Sequence, residues 1–148
     1  MAALGITFTG LEELLKACED CASEAELGIV NRRIVERSAN VVKEAMQKRI
    51  PVSADNSKSG KKGVRPGGHA RPNVPVSSIK MTGAAASVEV GWKLSDASEY
   101  FYMKFVNWGT TKMAPREFIQ SAVAEVEDQI GEIARHEYEA LLKAKIGG

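Results

Sequence analysis

Residues 102–123, "YMKFVNWGTTKMAPREFIQSAV", decide how this chain is read. Tyr102, Phe105 and Trp108 stand directly before a turn signal, Gly109, Thr110 and Thr111, and Pro115 then opens an amphipathic pattern. Residues 100–107 are apolar on both faces except for Lys104, which predicts a central strand rather than an edge. Pro115 suits the first position of a helix, where its missing N–H removes no hydrogen bond. Ile119, Ala122, Val126, Ile130, Ile133 and Leu141 carry an apolar stripe onward, so helix is expected over 115–146, with Gly147 and Gly148 ending it.

Upstream of this stretch the period is two. Val88, Val90 and Trp92 alternate with Ser87, Glu89 and Gly91, as in a half-buried strand. Residues 76–81 are its expected partner, closed by a turn at Thr82 and Gly83. Antiparallel strands are therefore expected over 76–108.

The N-terminal third reads as helix over 9–50. Thr9 and Glu12 have the spacing of a capping box, in which each side chain accepts the other residue's backbone N–H. Leu11, Leu15, Cys18, Ala22, Ala25 and Ile29 follow on one face, and Val30, Ile34, Val41, Val42, Ala45 and Met46 form a second stripe that Pro51 stops. One helix over 11–49 would be about 58 Å long at ~1.5 Å per residue. A break near Gly28 is favoured over a protruding helix, because glycine inside a helix costs about 1 kcal/mol relative to alanine.

Residues 51–75 change character. Gly, Ser, Pro, Lys and Arg dominate, and Lys58, Lys61, Lys62, Arg65, His69 and Arg71 face a single acid, Asp55. So long a loop in a domain is functional or flexible, and a flexible basic loop is expected.

The chain's 148 residues suit one domain over 1–148, and its order is helix, loop, strands, helix. The fold class expected is α+β: an antiparallel sheet of three to four strands packed by long N-terminal and C-terminal helices. Twenty Lys and Arg against nineteen Asp and Glu leave a charge of +1, so no global field draws the chain to nucleic acid or a membrane. No leader peptide and no run of 18 apolar residues is visible, and a cytoplasmic origin with reduced cysteines is expected.

Little chemistry is legible. Cys18 and Cys21 have the spacing of half a zinc site, but no other cysteine exists and His69 and His136 are distant, so core cysteines are expected. Neither histidine has a nucleophile and carboxylate at a meaningful spacing. Gly60, Lys61, Lys62 and Gly63 do not make a phosphate-binding loop, since no strand precedes them and the pattern is incomplete. No catalytic residue, cofactor or metal is expected. The basic residues of 58–71 make a small nucleic-acid-binding module the rival reading, although the loop lacks an aromatic residue for stacking.

Taken in order, "GLEELLKAC", "AMQKRIPVS", "GHARPNVPVSSIK", "YFYMKFVNWGT" and "APREFIQSAV" resemble the tail-component (neck or tail-completion) family of long-tailed bacteriophages over most of the chain. Tyr102, Gly109, Thr110, Pro115 and Phe118 match that family's tyrosine-rich strand, the Gly-Thr turn that ends it and the Pro-x-x-Phe helix opening. Asn107 departs from its usual acidic residue, residues 111–114 are poorer in proline, and residues 76–79 replace a Gly-x-Leu pattern. The resemblance implies a structural virion protein without enzymatic activity: a ring subunit, typically six-fold, joining head-closure or connector proteins to the tail tube or tail terminator protein. It would be assembled in the host cytoplasm and could touch packaged DNA transiently. Phe105 and Phe118 are then expected in the core. The interface is expected at Trp108, Gly109, Thr110 and Thr111, with Lys58, Lys61, Lys62, Arg65 and Arg71 of the basic loop around it.

Overall fold

The computed structural model describes residues 11–52, 70–93, 95–98 and 100–146. It is mixed helix and sheet and mostly helical. Two helices, α1 (Glu12–Cys21) and α2 (Glu24–Arg49), precede a short hairpin, β1 (Lys80–Thr82) and β2 (Ala85–Ser87); α3 (Met103–Trp108) and the long α4 (Phe118–Ile146) follow.

The N-terminal helix is broken, but not at Gly28. Ala22 is extended, and Ser23 begins α2 with a capping box of its own: the Glu26 N–H donates to Ser23 Oγ at 3.2 Å and the Ser23 N–H to Glu26 Oε1 at 3.3 Å. Gly28 lies inside α2, buried beside the hairpin turn. A Cβ there would meet Met81 Cε at 3.6 Å and the Ala84 backbone at 3.8 Å. The expected box at Thr9 and the basic residues Lys58, Lys61, Lys62 and Arg65 lie outside the described residues.

The hairpin pairs Lys80 with Ser87, Met81 with Ala86 and Thr82 with Ala85, around Gly83 in the left-handed region (φ 61°). Farther out the Ser77 N–H donates to the Glu89 carbonyl at 2.9 Å, so the first arm carries one more residue than the second, a bulge. Among the described residues the sheet has two strands, where three to four were expected. The difference lies at 100–107, which is not a strand: tight turns lead into α3, with Tyr100, Met103 and Asn107 buried and Lys104 and Phe105 turned outward. Spacings of three and four residues are helical, and a run apolar on both faces of a strand is also a short helix with one buried face.

The chain gathers into two compact units, with α2 and α4 contributing to both. In the unit of 42–52, 70–76 and 90–125, Met46, Ile50, Trp92, Met103, Phe118 and Ala122 are buried, each larger apolar side chain contributing about 1.5–3 kcal/mol. Trp92 meets Phe118 edge-on at 6.2 Å. The alternation expected around residue 90 survives as an isolated bridge between Val76 and Val90. Arg49 pairs with Glu125.

In the unit of 11–41, 77–89 and 126–146, Val30, Ile34 and Ala134 form the centre, covered by Leu11, Tyr138 and Leu141. A polar chain ties this core to the hairpin: the Tyr138 hydroxyl donates to Asn31 Oδ1 at 2.6 Å, and Asn31 Nδ2 donates to the Ala84 carbonyl at 2.8 Å. Ile29, expected on the buried face, is 61% exposed. Among the described residues no helix is long and apolar enough to cross a membrane.

Candidate functional site

The interface residues expected from the sequence fall where α3 ends. Gly109 caps α3, its N–H donating to the Phe105 carbonyl at 2.8 Å, with φ 80° and ψ 171°. That conformation is nearly confined to glycine. The space is closed as well, since a Cβ would lie 2.8 Å from the Pro115 nitrogen. Thr110 and Met113 bridge the following turn by a hydrogen bond of 2.9 Å, and the Lys112 N–H donates to Thr110 Oγ1 at 3.2 Å. Thr110 and Thr111 are exposed.

The chain then runs back alongside α3. The N–H groups of Arg116 and Glu117 each donate at 3.0 Å, to the carbonyls of Val106 and Asn107. Glu117 takes a left-handed φ of 49°, so α4 opens at Phe118 and Pro115 stays outside it. The first turn of α4 is capped from α3: the Ile119 N–H donates to Asn107 Oδ1 at 2.9 Å. Asn107 is fully buried. Asn107 departs from the acidic residue usual in the resembled pattern, yet its carboxamide oxygen accepts a helix N–H as a carboxylate would. No spacing in the sequence marks this role, because the N–H that Asn107 caps lies beyond the turn, twelve residues on.

Phe118 is in the core as expected, but Phe105 is not: it is 39% exposed. Phe101 lies edge-on to it at 6.4 Å, and the Lys104 ammonium sits 5.4 Å from its ring centroid while donating to the Asp96 carbonyl at 2.7 Å. Trp108 is half-buried, and its indole Nε1 is buried with no hydrogen-bond partner among the described residues. Arg71 is spent locally, its guanidinium donating twice to the Ile50 carbonyl at the end of α2, at 2.6 and 3.1 Å. The structure thus brings Trp108, Gly109, Thr110 and Thr111 together and gives Arg71 a capping role.

The cysteines are free thiols. Cys18 donates to the Tyr138 carbonyl at 3.5 Å, and burial pushes its pKa up. Glu137 is a buried carboxylate. Burial works to raise its pKa, but the guanidiniums of Arg33 (3.1 Å) and Arg37 (2.8 Å) prevail and hold it below the usual range. Among the described residues no three His, Cys, Asp or Glu side chains are grouped to hold a metal ion.

No protein-family model, curated protein or solved structure matches this chain.

Proposed function

We propose that the chain is a structural protein of the bacteriophage neck or tail-completion region, a ring subunit that joins head-closure proteins to the tail tube. The order of its motifs along the sequence supports this reading. The observation that carries it is the turn from Trp108 to Thr111, fixed on one side by Gly109 against Pro115 and on the other by Asn107 capping α4, with Phe105, Thr110, Thr111 and Met113 exposed around it. A turn whose backbone is set by both flanking helices presents a preorganised surface, and a surface of that kind loses little entropy on docking. In a ring, six-fold on this reading, every subunit repeats the same heterologous contact.

The test is electron microscopy of lysates carrying Trp108→Ala, beside a Thr110→Asp, Thr111→Asp pair that leaves every buried group in place. Circular dichroism checks each purified subunit. Folded subunits with filled heads and unattached tails are expected. Intact virions from the threonine pair and from a folded Trp108→Ala would overturn the assignment.

A further inference from the structure

On the outward side of α2 the charge changes sign across an exposed isoleucine. Glu24 and Arg32 belong to one open groove of about 500 Å³, with Ala25, Ile29 and Met81 between them. The groove lies where the hairpin turn at Gly83 packs beside α2 at Gly28, with Met81 as one wall. Ile29 stands beside it, mostly exposed, and Met81 is exposed as well. Neighbouring Glu26 and Arg33 are already paired within the chain, with Lys145 and Glu137. Glu24 and Arg32 form no ion pair among the described residues.

A groove with a carboxylate toward one end and a guanidinium toward the other is complementary to its own antiparallel copy. Glu24 and Arg32 are separated by about 12 Å of helix at ~1.5 Å per residue, and Ile29 lies near the midpoint. A two-fold axis beside Ile29 sets each Glu24 against the other chain's Arg32 and lays each Ile29 against the other chain's groove, as an isologous contact requires. A parallel copy would instead oppose like charges, which is strongly unfavourable.

We infer that this face of α2 and the hairpin is the docking site of a second copy of the chain, in an antiparallel, two-fold contact. It uses none of the residues of the turn from Trp108 to Thr111. A two-fold contact also closes at two copies, so it is separate from any ring contact and holds whether or not the ring reading does.

Sedimentation of the full chain from micromolar to millimolar concentration tests it, with circular dichroism as the check on folding. The wild-type chain is expected to dimerise reversibly. Ile29→Asp, Glu24→Arg and Arg32→Glu should each weaken the dimer by about tenfold or more, the two reversals because like charges then face each other. Mixing Glu24→Arg with Arg32→Glu should restore association, since the mixed dimer pairs opposite charges at both places. A wild-type chain that stays monomeric, a dimer indifferent to Ile29→Asp, or a mixture that fails to re-associate would each overturn the inference. Rings lost in Trp108→Ala but untouched by Ile29→Asp, with no separate dimer, would overturn it while leaving the ring reading intact.

Discussion

Asn107 Oδ1 accepts the Ile119 N–H at 2.9 Å, so the last long helix begins under a cap supplied by the helix before it. Two more hydrogen bonds, from Arg116 and Glu117 to the carbonyls of Val106 and Asn107, hold the same two segments together. Asn107→Ala leaves a helix N–H without its acceptor in a buried place, which costs about 1–3 kcal/mol. Asn107→Asp keeps the acceptor at a helix N-terminus but places a charge in a fully buried site, a cost that opposes the gain. Urea unfolding should therefore rank wild type above Ala. An Ala variant as stable as wild type would show that the cap contributes nothing.

Gly109 carries the sharpest steric constraint in the turn. Gly109→Ala places a Cβ against the Pro115 backbone in a conformation that costs about 1–3 kcal/mol for a residue other than glycine. Because Pro115 leads into α4, the variant should lose stability and also show altered proteolysis around residues 109–117. The midpoint of thermal unfolding and limited digestion read both effects.

The two long helices were legible because their apolar stripes repeat at three and four residues, as at Val30 and Ile34 or at Ile130, Ile133 and Ala134. Their junctions were not. Glycine's mid-helix cost pointed to Gly28, but Ser23 and Glu26 offered a true cap five residues earlier. Residues 100–107 depart from the expected strand for a different reason. Short apolar runs carry no period of their own, and only the burial of Tyr100, Met103 and Asn107 separates a helix from a strand. The turn after Trp108 was readable from Gly109 and Thr110. The capping roles of Asn107 and Arg71 were not, since each joins residues far apart in sequence through contacts that only the fold creates.

Cys18 and Cys21 should differ in reactivity. The thiolate is the nucleophile, and Cys18 is buried, with a raised pKa, while Cys21 is half-buried. Alkylation of the native protein followed by mass spectrometry should modify Cys21 first and Cys18 only after unfolding. Cys18→Ser is expected to destabilise the fold more than Cys21→Ser. Equal labelling rates would contradict the burial of Cys18.

Arg33 and Arg37 share the buried carboxylate of Glu137. Removing either arginine leaves Glu137 one partner, a loss of about 1 kcal/mol or less for a half-exposed guanidinium. Removing both strands a buried charge, which costs about 3–5 kcal/mol, so the double variant should lose far more than the two singles combined. The pH dependence follows from the lowered pKa of Glu137. Its contribution is fully present above the unfolded-state pKa and lost as pH falls through the folded value. Stability measured from neutral to acid pH should show that loss in wild type. Glu137→Gln should flatten that part of the curve.

Trp108 offers a way to separate folding from assembly. Its ring is half-buried, so Trp108→Ala removes packing as well as any contact with a partner, and a failed assembly could come from either loss. Trp108→Phe keeps most of the ring and deletes the indole N–H, which is buried without a partner among the described residues. In the isolated subunit, deleting an unpaired buried donor should be neutral or slightly stabilising, because its desolvation penalty of about 1–3 kcal/mol disappears. If an acceptor on a neighbouring subunit or head-closure protein satisfies that N–H in the assembled particle, the same substitution must weaken joining. Urea unfolding of the purified variant, set beside the yield of infectious particles it supports, gives both readings. Unchanged or raised stability with reduced yield is the expected result. Full yield from Trp108→Phe would show that the indole N–H meets no partner in the particle.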